Sequence, residues 1–119
     1  RYMPEVIGYL AMRNATVAGA VGGCQAEVGV ASAMAASAAV ELMGGSPRQC
    51  LYAASTVLMN MLGLVCDPVG GLVEYPCQMR NASGVANAMI AAELALADIV
   101  SCTDPAYRIF YTADFCTTH

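Results

Sequence analysis

Three cysteines stand beside helix-breaking residues: Gly23-Cys24-Gln25, Cys66-Asp67-Pro68 and Pro76-Cys77-Gln78. Each falls where a predicted helix begins or ends, not in the middle of an apolar face. The N-terminus of a helix favours the anionic thiolate, the form of cysteine that binds metals. Three thiolates from separate segments point to a metal centre with one position open to substrate. There is no Cys-x-x-Cys pair, so neither a zinc ribbon nor a ferredoxin-type run fits. Separations of 42 and 11 residues are no motif in themselves. A free cysteine is more often a small buried hydrophobe. Cys50, in a first helical turn among core residues, is read that way, as are Cys102 and Cys116 in the poorly patterned end of the chain.

The elements that must position these cysteines read as helices. Pro4 to Arg13 looks like the end of a helix whose beginning is missing, and Asn14 to Gly23 is rich in Gly and Ala. A long helix is expected from about Gln25 to Met43. Its seven alanines, with Gly29, Ser32 and Ser37, make it small on every face, so neighbours should pack close around it. Gly44-Gly45 ends it as a left-handed cap. Ser46 as N-cap, Pro47 at the first position and Gln49 closing a capping box start the next helix, which should reach about Leu62. Leu72 to Gln78 is expected to be irregular or extended, because Pro76 disfavours the helical region for Tyr75. A third helix should run from about Asn81 to Ala97. The expected fold is all-α: a compact bundle of alanine-rich buried helices, with Gly/Pro-rich loops carrying the cysteines.

Charged residues make up 12% of the chain and apolar ones 58%, against about 25% and 45–50% in ordinary domains. A free-standing small domain is mostly surface and should carry more charge. Surface covered by further polypeptide explains this better than a membrane. The longest uncharged stretch, Gln49 to Cys66, contains Ser55, Thr56, Asn60 and Gly63 and falls short of a spanning helix. A net charge of −4 with no basic patch argues against nucleic acid. Six cysteines would allow three disulfides in a secreted chain, but the helical, alanine-rich pattern favours a reducing cytoplasm.

The flanks of the cysteines carry more information than their spacing. The stretch from Gly23 to Gly29 (GCQAEVG), the stretch from Asn60 to Cys77 (NMLGLVCDPVGGLVEYPC) and Arg80-Asn81-Ala82 resemble iron–sulfur L-serine dehydratase. The resemblance is closest to the alpha chain of the bacterial two-subunit form. It runs nearly without a break from about Leu10 to Ala97 and keeps both cysteine separations.

The resemblance implies that Cys24, Cys66 and Cys77 hold a 4Fe-4S cluster, leaving the fourth iron to substrate. It implies deamination of L-serine to pyruvate and ammonia, with iron as the Lewis acid that assists loss of the β-hydroxyl. The family works without pyridoxal phosphate, and this chain contains no lysine that could form a Schiff base. Glu27, Arg80 and Asn81 are candidate substrate-binding residues, with ordinary helix-end roles as their alternatives. The catalytic base is unassigned, and His119 is no candidate. A beta subunit and an oligomeric assembly are implied partners. Residues 1–97 are expected to form part of the alpha chain's cluster-binding domain. Residues 98–119 read as a divergent tail, and the fragment alone is expected to be inactive. The competing reading is a helical assembly module with free or zinc-binding cysteines.

Overall fold

The computed structural model describes residues 3–72 and 74–99. Five helices follow one another in this part of the chain: α1 Met3–Asn14, α2 Gly19–Gly22, α3 Cys24–Leu42, α4 Pro47–Met61 and α5 Glu74–Leu96. Among the described residues there is no strand beyond an isolated bridge between Val69 and Leu72. The all-α expectation is borne out. Cys102, Cys116, His119 and most of the 98–119 segment lie outside the described residues.

Helix α3 is the axis of the bundle, in contact with every other helix. Its predicted smallness is what permits this. Ala26, Ala33 and Ala36 are fully buried, as are Ala53 and Ala54 of α4 and Ala91 of α5. Small side chains let helix backbones approach, as α3 and α5 do at Gly84. A Cβ on Gly84 would collide with Ser32 Oγ and stand 3.2 Å from Val28 Cγ1. Cys50 is buried in the core, as its sequence context suggests.

The turn between α3 and α4 follows its local signals. Gly44 has φ +82°, and the Gly44 and Gly45 amides donate to the carbonyls of Glu41 and Val40 at 3.1 and 2.9 Å. This is the two-bond pattern of a Schellman cap. Ser46 Oγ then accepts from the Gln49 amide, while Gln49 Oε1 accepts from the Ser46 amide. Two helix ends are thus satisfied within a few residues. The tight turn brings α4 back along α3, until Met61 Cβ lies 3.4 Å from the place a Gly29 Cβ would occupy. The chain leaving α4 is therefore delivered to the start of α3, where Cys24 lies.

Helix α5 departs from expectation. It begins at Glu74 rather than near Asn81, so Cys77 lies in its first turn and not in an irregular segment before it. Pro76 permits this because first-turn amides have no intrahelical acceptor, so a missing N–H there removes no bond. None of the described helices is long and apolar enough to cross a membrane.

Candidate metal centre

Cys24 is the first residue of α3, and Gly23 turns the chain into it with φ +76° and ψ −173°, a backbone region open to little but glycine. The same glycine allows a close approach. A Cβ there would lie 2.9 Å from the Cys66 amide nitrogen and 3.0 Å from the Leu64 carbonyl oxygen. The Gln25 amide donates to the Leu64 carbonyl at 2.7 Å, and Gln25 Oε1 accepts from the Gly63 amide at 3.1 Å. The loop after α4 is thereby fastened to the head of α3, bringing Cys66 to Cys24.

Cys77 arrives from the first turn of α5. Its Sγ lies 3.7 Å from Cys24 Sγ. All three cysteines line one cavity of about 140 Å³, whose wall also carries Glu27 and Asp67. Arg80, one turn beyond Cys77, reaches back over the site. Its Nη1 donates to Cys24 Sγ at 3.2 Å and to the Val65 carbonyl at 2.8 Å. Its Nη2 stands 3.6 Å from Asp67 Oδ2.

The electrostatics follow from these contacts. The hydrogen bond with Cys24 is the largest cause pushing the Cys77 thiol above its ordinary range, and burial and the charges of Cys24 and Glu27 add to it; Arg80 opposes. Arg80 is held still more firmly protonated, first by its hydrogen bond to Cys24.

Among the described residues, no three His, Cys, Asp or Glu side chains surround a single point as one metal ion would require. The cavity is the better measure of what the thiols fit. At about 140 Å³ it is roughly ten times the 10–15 Å³ that one water needs. A multi-atom inorganic group suits it better than one ion, and soft thiolates are the donors that iron–sulfur clusters take.

The family profile described as serine dehydratase alpha chain matches residues 2–109. This chain belongs to that family. It is 62% identical over 95 residues to the L-serine dehydratase alpha chain of Peptoniphilus asaccharolyticus, covering 80% of this chain and 32% of that one. A probable L-serine dehydratase alpha chain of Bacillus subtilis (strain 168) is 62% identical over 94 residues, covering 79% of this chain and 31% of its own length. The L-serine dehydratase of Helicobacter pylori (strain ATCC 700392 / 26695) is 50% identical over 92 residues, 77% of this chain and 20% of that protein. The chain thus spans about a third of the length of the alpha chains it matches.

The residues singled out from sequence do not all meet. Cys24, Cys66, Cys77 and Glu27 share the cavity wall. The Glu27 carboxylate packs over Gly19, where a Cβ would strike it. Arg80 joins them through Cys24 and Asp67. Asn81 turns back along its own helix, with Nδ2 donating to the Cys77 carbonyl at 2.7 Å. Sequence reasoning missed the Gln25 clamp and the Val65 carbonyl. A glutamine next to a cysteine carries no local sign that its amide will hold a loop 38 residues away.

Proposed function

We propose that this chain supplies the cluster-binding part of an L-serine dehydratase, which deaminates L-serine to pyruvate and ammonia in the cytoplasm. Cys24, Cys66 and Cys77 are the proposed ligands of a 4Fe-4S cluster. The observation that carries this is the convergence of the three cysteines on one cavity. Relatives named L-serine dehydratase, alpha chain, at 62% identity support the reaction and the substrate. The name alpha chain supports a beta subunit as partner.

When bound, such a cluster supplies a Lewis-acidic iron toward the substrate's oxygen atoms. The chain's own residues do the rest of the proposed work here. Cys24, Cys66 and Cys77, from three segments, would hold the group without a fourth protein ligand from these residues. Asp67 is paired with Arg80, so Glu27 is the wall carboxylate assigned to the substrate's ammonium group. Arg80 is engaged with Cys24, Val65 and Asp67 and Asn81 with the Cys77 carbonyl, so the substrate carboxylate is assigned to neither. The catalytic base is not assigned to this chain.

Anaerobic reconstitution of the complete enzyme tests the proposal. Full loading should give about four irons and four sulfides per chain and pyruvate from serine. Serine in place of Cys24, Cys66 or Cys77 should abolish both, and retention of both by any of the three would remove that residue from the ligand set. One observation favours a second reading, a zinc-binding or free-thiol module. The 3.7 Å between Cys24 and Cys77 sulfurs matches the roughly 3.8 Å edge of a tetrahedron with 2.3 Å zinc–sulfur bonds. Zinc without sulfide in chain purified anaerobically would favour that reading.

A further inference from the structure

The three cysteine-bearing segments meet at one side chain outside the set of thiols. Arg80 lies one turn after Cys77 on α5, contacts the sulfur of Cys24, and holds both neighbours of Cys66, the Val65 carbonyl and the Asp67 carboxylate. Its side chain is 21% exposed against 61% for Asp67, so the guanidinium is the inner member of the pair. Gln25 fastens the loop as far as Leu64, and the Val69–Leu72 bridge closes its far end. Arg80 holds the stretch between, where Cys66 lies.

We propose that Arg80 is a positioning residue that fixes the spacing of the three thiols and tunes the sulfur of Cys24. This rests on the ligand assignment above. A guanidinium presents its N–H groups in a rigid planar fork that can span a sulfur, a carbonyl and a carboxylate at once. An ammonium gathers its donors on one atom and cannot span them. Both hydrogens of Nη1 are engaged, on Cys24 and Val65, so the face of Arg80 toward the site is spent on the protein itself. Hydrogen bonds to coordinating sulfurs help set the reduction potential of an iron–sulfur centre, and supporting groups of this kind orient the ligands.

The test uses the complete enzyme carrying Arg80→Lys or Arg80→Gln, reconstituted anaerobically with ferrous iron and sulfide. Iron release to a chelator, the midpoint potential followed by electron paramagnetic resonance, and the split between KM and kcat are measured. Both variants should release iron about 10–100-fold faster and show a lowered potential, with lysine failing to rescue despite its charge. Native iron retention and potential in Arg80→Lys would overturn the proposal, as would a raised KM for serine with both unchanged, which is the mark of a substrate clamp. Should Arg80→Gln fail to fold, judged by circular dichroism, Arg80→Lys carries the test alone. Cys66→Ser separates the two levels. Full loading in that variant would overturn the ligand assignment and this proposal with it. Lost loading there, beside native behaviour of the Arg80 variants, would overturn only the role of Arg80.

Discussion

At the residue scale, the 3.7 Å between Cys24 and Cys77 sulfurs sets the reactivity of the metal-free site. Closing that gap to a disulfide of about 2.05 Å is a small side-chain adjustment if the Cβ directions allow it. Treating the metal-free chain with oxidised glutathione should join Cys24 to Cys77, releasing two reduced glutathiones and leaving Cys66 as a thiol or mixed disulfide. Mapping of non-reduced peptides checks this, and a bridge mainly through Cys66 would contradict the geometry. The raised Cys77 thiol has a second consequence. A group whose folded-state value lies above its unfolded one stabilises the fold below the ordinary thiol range and loses that contribution as pH rises through the folded value. The urea midpoint of the metal-free chain should therefore fall between neutral and alkaline pH, and fall less in Cys77→Ser. Metal uptake should show the opposite trend and rise with pH, because thiolates must form first.

At the element scale, two glycines decide whether the cysteine-bearing elements can meet. Gly23→Ala puts a side chain into a backbone region that costs about 1–3 kcal/mol, against the Cys66 amide. The expected result is a lowered urea midpoint together with weakened metal loading, since the same atom displaces the Cys66 loop. Gly84→Ala wedges α3 from α5 at Ser32, with an overpacking cost of about 1–3 kcal/mol. Adding Ser32→Ala removes the colliding oxygen, so the double variant should recover part of the loss. A double-mutant cycle in urea measures this coupling, and strict additivity would mean that the two residues do not bear on each other.

At the scale of the molecule, the low charge noted in the sequence takes a physical form. Helix α5 exposes Tyr75, Met79, Val85, Met89 and Ile90, a run of apolar side chains of the kind that marks an interaction surface. The chain spans about a third of the length of the alpha chains it matches. Expressed alone, it should self-associate with rising concentration in sedimentation velocity, hold a cluster poorly, and lose it rapidly in air. Stoichiometric, air-stable cluster and serine turnover by the isolated chain would contradict this.

Much of this architecture was legible because its signals are local. The Gly44 cap and the Ser46–Gln49 box satisfy helix ends within a few residues, so neighbouring side chains suffice to determine them. The alanine content of α3 declared a helix that must be approached closely on all sides. The flanks of Cys24, Cys66 and Cys77 marked the candidate ligands and the family. Three things were decided only by packing. The start of α5 was open, because Pro76 is as compatible with a first helical turn as with a loop. The meeting of the thiols depended on α4 folding back along α3 and on Gly23 leaving room for the Cys66 loop. The partners of Arg80 lie 15 and 56 residues away in sequence, and no local pattern encodes a contact that exists only once α3, α5 and the loop are packed together.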